Sequence, residues 1–146
     1  MKKTVKRILV INGPNINLLG LREPDIYGTQ NYNDLLKFID NAALETGLEV
    51  HCFQSNSEGA IVDEIQQAYG QYDGIVINPA AYTHTSIAIP DSLKAIGIPA
   101  VEVHLSDIST REEYRRITYT SEACCATIMG KGFQGYKEAF EFLLTL

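Results

Sequence analysis

No stretch of the 146-residue sequence is apolar for long enough to form a membrane-spanning helix, so none is expected. The N-terminal run Met1–Ile11 is basic and then apolar. Its apolar part is too short for a signal-peptide core, and Asn12-Gly13-Pro14 interrupts it, which predicts a cytoplasmic protein. Positive charge is also in deficit, with 12 Lys+Arg against 18 Asp+Glu and a net charge of −6. That balance argues against non-specific binding to nucleic acid or to an anionic membrane. Cysteine is scarce. Cys52, Cys124 and Cys125 cannot close a disulfide framework, and the adjacent Cys124-Cys125 is poorly placed to ligate one metal. Repeats, low-complexity tracts and linkers are absent, and no GxxxxGK[ST] suggests a P-loop nucleotidase. What remains is a chain long enough to bury a core without staples, read as one domain over residues 1–146.

Short apolar runs alternate with amphipathic segments. Strands are predicted at Arg7–Asn12, Leu48–Phe53, Gly74–Asn78, Ala100–His104 and, more weakly, Ala123–Met129. Helices are predicted at Asn33–Thr46, with Gly47 as its stop, at Ser57–Tyr69, before Ile96 with Pro90 in a first turn, and at Phe133–Leu144. Thr110-Arg111-Glu112-Glu113 has the letters of a capping box and predicts a short helix through Arg116. Five βα units with apolar strands predict an α/β, flavodoxin-like, doubly wound five-stranded parallel sheet with helices on both faces. Ligands in such folds bind at the carboxyl ends of the strands, so the loops beginning at Asn12, Gln54, Asn78, His104 and Gly130 matter most. The first of these runs for about twenty residues where two to six are usual, and it carries Arg22 and Tyr27.

Several constellations fall on those loops. Glu102 and His104 end the fourth strand on one face. A carboxylate beside an imidazole orients it and favours its charged form, as a general acid requires. Tyr82-Thr83-His84-Thr85-Ser86 follows the third strand with polar groups able to face the same cleft. Arg111 and Arg115, four apart on the predicted helix, suit an oxyanion. Gly130-Lys131-Gly132-Phe133-Gln134-Gly135 matches GxGxxG, yet too little chain follows to complete a dinucleotide-binding unit, so a tight turn is expected. Asn12 and Asn78 stand where a response regulator would carry acids. A flavodoxin-like module binding a phosphate-bearing ligand without catalysis remains an alternative from the residues alone.

Longer motifs carry a family resemblance. Asn12-Gly13-Pro14-Asn15-Ile16-Asn17-Leu18-Leu19-Gly20-Leu21-Arg22-Glu23-Pro24 with Tyr27-Gly28 resembles the signature loop of type II 3-dehydroquinate dehydratases. Gln54-Ser55-Asn56-Ser57-Glu58-Gly59, the segment from Asn78 to Ser86, and Glu102-Val103-His104-Leu105-Ser106 followed by Arg111-Glu112-Glu113 resemble that family too, in order and over nearly the whole chain. The resemblance implies a cofactor-free, metal-free hydro-lyase that converts 3-dehydroquinate to 3-dehydroshikimate in the shikimate pathway. It implies Tyr27 as a tyrosinate base at C2 with Arg22 beside it, and Asn15 holding an enolate, through a water. His104, oriented by Glu102, would protonate the departing C1 hydroxyl. Asn78, His84 and Arg115 would hold ring hydroxyls, the backbone N–H groups of Leu105 and Ser106 the carboxylate, and Arg111 would add positive field. Asp91 would reach a neighbouring subunit's site in a dodecamer built from trimers. Pro90 and Asp107 depart from the family pattern, in which arginine and asparagine are common there.

Overall fold

The computed structural model of the protein describes residues 6–21, 25 and 29–146. Five strands, β1 (Arg7–Asn12), β2 (Glu49–Gln54), β3 (Gly74–Asn78), β4 (Ala100–His104) and β5 (Ala126–Met129), form one parallel sheet in the order β2-β1-β3-β4-β5. Among the described residues, four α-helices connect or close them: α1 (Tyr32–Thr46), α2 (Glu58–Gln67), α3 (Ala88–Ile96) and α4 (Gln134–Leu144). This is the doubly wound, flavodoxin-like arrangement that the sequence predicts.

Strand alternation sorts the core into two layers. Ile8, Val10, Val76, Val101 and Val103 pack with Leu35 and Ile39 of α1 and Phe140 and Leu143 of α4. Leu9, Ile11, Ile75, Ile77 and Ala100 point the other way, onto Ile61 and Ile65 of α2 and Ile89 and Leu93 of α3. Each fully buried aliphatic side chain contributes roughly 1.5–3 kcal/mol of burial, so the central strands anchor the loops at their ends.

Local chemistry sets the helix boundaries. Asn31 accepts from the Asp34 N–H at 2.9 Å while the Asp34 carboxylate accepts from the Asn31 N–H at 2.9 Å, so α1 begins one residue earlier than expected. Gly47, at φ 72°, ends it as predicted. Ser57 caps α2 rather than joining it. That helix ends at Gln67, and Tyr69, expected on its apolar face, is exposed. The fifth strand starts at Ala126, because Thr120–Ala123 form a 3-10 turn.

The predicted helix over Thr110–Arg116 does not form. Two 3-10 turns, Ile108–Thr110 and Glu113–Arg115, flank Arg111, whose backbone is extended at φ −90° and ψ −173°. Asp107 caps the first turn by accepting from the Ser109 N–H at 3.0 Å. The Thr110 hydroxyl turns back to the Asp107 carbonyl at 2.8 Å instead of capping forward. Arg111 and Arg115 therefore do not share a helical face.

The glycine-rich segment is the expected turn. Gly130 and Gly132 have φ of 77° and 57°, and a Cβ on Gly135 would lie 3.2 Å from Val103 Cγ1, so that glycine lets α4 lie close against β4.

Candidate active site

A cleft of about 630 Å3, open mouth included, lies over the carboxyl ends of β1, β3 and β4. His104 ends β4 at this cleft and is 5% exposed, while Glu102, two residues back, is wholly buried. Glu102 Oε2 accepts from His104 Nε2 at 2.5 Å. A carboxylate only accepts, so Nε2 carries the proton and Nδ1 is the ring nitrogen left for a ligand.

The buried carboxylate is satisfied by hydroxyls. Thr83 Oγ1 donates to Oε2 at 2.6 Å, and Thr118 Oγ1 lies 3.0 Å from Oε2 and 3.2 Å from Oε1. Thr127, the register partner of Glu102 on β5, stands 3.4 Å from Oε1. Burial alone would raise the Glu102 carboxyl. The hydrogen bond and charge of His104, with the bonds from Thr83 and Thr118, more than offset this and hold it below the usual value.

Of the polar run after β3, only His84 lines the cleft. Its Nδ1 donates to the Ile117 carbonyl at 2.7 Å, so the neutral ring keeps Nε2 as an acceptor. Burial lowers the His84 pKa from 6.5, and the nearby charges of His104 and Arg115 act in the same direction. The other members of that run, expected to face the cleft, are engaged elsewhere or exposed. Tyr82 donates to the Asn56 carbonyl at 2.6 Å, Thr83 binds Glu102, Thr85 is exposed, and Ser86 accepts from the Ile89 N–H at 3.1 Å.

Around the mouth, Arg115 Nε pairs with Glu112 at 2.9 Å and its guanidinium lies 5.2 Å from the Tyr114 ring centroid. Arg111 is largely buried, with Nη1 3.5 Å from Ser106 Oγ and Nε 3.8 Å from Glu112. Asn15 sits in the left-handed region at φ 70°, its N–H donating to Asn56 Oδ1 at 3.1 Å. Behind this, Gly13 donates to the Asn78 carbonyl at 2.8 Å, and a Cβ there would stand 2.6 Å from the Pro79 oxygen. Only glycine fits.

A carboxylate–imidazole pair and two arginines converge on one crevice of a parallel sheet. The sequence profile described as Dehydroquinase class II matches residues 6–144. The chain belongs to the class II dehydroquinase family. The 3-dehydroquinate dehydratase of Clostridium acetobutylicum is 59% identical over 130 residues, spanning 89% of this chain and 90% of that one. The crystal structure of the type II dehydroquinase from Butyrivibrio crossotus superposes with a TM-score of 0.95 at 49% identity, over 97% of this chain and 99% of that one. That of the type II dehydroquinase from Propionibacterium acnes gives 0.93 at 42% identity, over 99% and 100%. The family is one of hydro-lyases, and this member is an enzyme of that class.

In this class II dehydroquinase, Asn15, Asn78, His84, His104, Leu105, Ser106, Arg111 and Arg115 all line the cleft, with Glu102 beneath it. The Leu105 and Ser106 N–H groups take no part in the loop hydrogen bonds among the described residues. Asp91 lies apart, exposed in the first turn of α3. Arg22 and Tyr27 fall outside the described residues. Thr118 and Tyr136 carry no signal in the sequence reading, while Thr83, expected to face the cleft, binds Glu102 instead, and Asn12, read there only as a strand end, binds Tyr136. A strand facing Glu102 with a threonine at the register position was the one signal available, and it points to Thr127. Among the described residues, no three of His, Cys, Asp and Glu gather as metal ligands would, and no helix is long and apolar enough to cross a membrane.

Proposed function

We propose that the cleft binds 3-dehydroquinate and eliminates water from it to give 3-dehydroshikimate, with residues 1–146 acting as one cytoplasmic catalytic domain. The observation that carries the reading is the Glu102–His104 pair at the end of β4, an imidazole held in one tautomer at the edge of a cleft by a buried anion. Tyr27, as phenolate, takes the proton from C2, and Arg22 lowers the cost of that anion. The electron pair enters the adjacent ketone as an enolate, which Asn15 holds through a water. The enolate then expels the C1 hydroxyl, and His104 Nδ1 gives it a proton so that water leaves. His104 is left neutral with Nε2–H still on Glu102, and the Tyr27 proton returns to the imidazole through solvent.

Binding follows from the charges around this centre. The Leu105 and Ser106 N–H groups take the substrate carboxylate, with Arg111 adding positive field. Asn78, His84 and Arg115 take ring hydroxyls. His84, held neutral by its burial, accepts a hydrogen bond at Nε2 rather than donating one. No cofactor or metal has a part in these steps. Asp91 reaches the site of a neighbouring subunit, in a dodecamer of trimers. The test is direct. Purified protein mixed with 3-dehydroquinate should develop the ultraviolet absorbance of a conjugated enone, and a flat trace at enzyme concentrations near that of substrate would sink the reading.

A further inference from the structure

Asn12 ends β1 and Asn78 ends β3, and the two are register partners across the sheet. Tyr136 of α4, wholly buried, stands between their side chains. Its hydroxyl donates to Asn12 Oδ1 at 2.6 Å and accepts from Asn78 Nδ2 at 3.1 Å. A carboxamide oxygen cannot donate, so the Tyr136 proton has one direction and its lone pair faces an N–H of Asn78. At its other end the Asn78 amide is held too. Asn78 Oδ1 accepts from the Ala80 N–H at 3.1 Å, and Ala80 has φ 52°, a left-handed conformation that few non-glycine residues adopt. The oxygen and one N–H of Asn78 are thus committed within the protein. One N–H remains for a ligand in the cleft that Asn78 lines.

We propose that Tyr136 is a positioning residue for substrate binding, fixing the sense of the Asn78 carboxamide so that the cleft offers an N–H donor, not a carbonyl acceptor, to a ring hydroxyl. This rests on the reading above in which Asn78 meets the substrate. The neighbouring His84 offers the matching acceptor, because its Nδ1–H is spent on the Ile117 carbonyl. Donor and acceptor together are what one hydroxyl, or two adjacent ones, would satisfy. Burial raises the Tyr136 phenol, which keeps its proton in place for Asn12 over the whole working range of pH. The relay enters from the α1/α4 face of the sheet, opposite the face that carries Glu102. It therefore acts on binding without touching the proton donor.

A double-mutant cycle on the full chain tests this. Tyr136→Phe keeps the ring and removes the hydroxyl, while Asn78→Ala removes the amide. Steady-state kinetics with 3-dehydroquinate should show each single variant with KM raised about tenfold, one hydrogen bond's worth, and kcat within about threefold. The double variant should have the KM of Asn78→Ala, because a relay with nothing to orient has no further effect. A structural tyrosine would instead raise KM by the same factor in both backgrounds, and that result overturns the proposal. So does a Tyr136→Phe enzyme with unchanged KM when Asn78→Ala shifts it. If Asn78→Ala itself leaves KM unchanged, the fault lies in the reading that Asn78 touches substrate, and the relay falls with it. Should Tyr136→Phe fail to fold, Asn12→Ala removes the acceptor that aims the hydroxyl. The same rise in KM, absent when Asn78 is already alanine, is expected, and no rise overturns the proposal.

Discussion

A carboxylate with no exposed surface survives as an anion only where donors replace its water. Glu102 has His104 and threonine hydroxyls in that role. Those donors hold its folded pKa below the ordinary 4.5, against the upward pull of burial. The folded protein therefore binds this proton less readily than the unfolded chain. The stability it contributes is fully present above about 4.5 and is lost as pH falls through the lower folded value. Glu102→Gln should be less stable than the parent at neutral pH, yet lose less of its melting temperature between about pH 5 and 3. Parallel melting curves across that window would remove the linkage. Under the proposed chemistry, His104→Ala leaves the Leu105 and Ser106 amides in place and takes away the acid, so kcat should fall by about 10²–10⁴ with KM much less changed. Near-normal kcat would return His104 to a structural role. The pair was readable in advance because residues two apart on a strand share a face. Its threonine partners were not. Thr83 and Thr118 arrive from separate loops, and a hydroxyl carries no periodic signal that would say where it points.

At the scale of elements, apolar strands and glycine stops made the sheet legible, and boundaries moved by one to three residues where a cap decided them. Asn31-x-x-Asp34 forms the reciprocal cap, whereas Thr110-x-x-Glu113 has the same spacing and does not. The difference is that Asp107 already serves the turn before it, so Thr110 is drawn backwards and Arg111 runs extended. The overlong connection after β1 was conspicuous by length alone. Its tyrosine and arginine give the sharpest test of the proposed chemistry. Tyr27→Phe should fold, bind substrate and lose kcat by orders of magnitude at every pH. Arg22→Ala should be slow at neutral pH and recover in part under alkaline conditions, because the phenol has lost its cation. A pH–kcat profile of both variants decides, and a Tyr27→Phe enzyme that retains most of its activity would assign the base elsewhere. The same connection begins at Gly13, whose missing Cβ would meet the Pro79 carbonyl, a backbone group with no freedom to yield. Gly13→Ala should cost about 1–3 kcal/mol in denaturant unfolding and should impair activity by displacing Asn78. An unchanged midpoint would show that the strand ends can part without loss.

At the scale of the whole molecule, Ile87, Tyr114 and Ile117 are among the exposed large apolar side chains, at 54%, 67% and 57% exposure. The proposed assembly from trimers, with Asp91 serving a neighbour, predicts a large symmetric species in sedimentation and a loss of specific activity on dilution to protomers. A monomer of full activity would take Asp91 out of the site.

The hydrogen bond from Tyr136 to Asn12 joins residues 124 positions apart. During synthesis, β1 leaves the ribosome early, yet its place is in the middle of the sheet, beside a β3 that is still to be made. Even when β3 has arrived, the polar ends of both strands lack their shared partner until α4 has emerged. Between the emergence of β3 and that of α4, a nascent chain therefore carries the two asparagines with no tyrosine to settle them. Under the role proposed for Tyr136, the cleft offers a settled N–H donor only after α4 has packed onto the sheet, and a chain without that helix would hold a sheet with an unfinished floor.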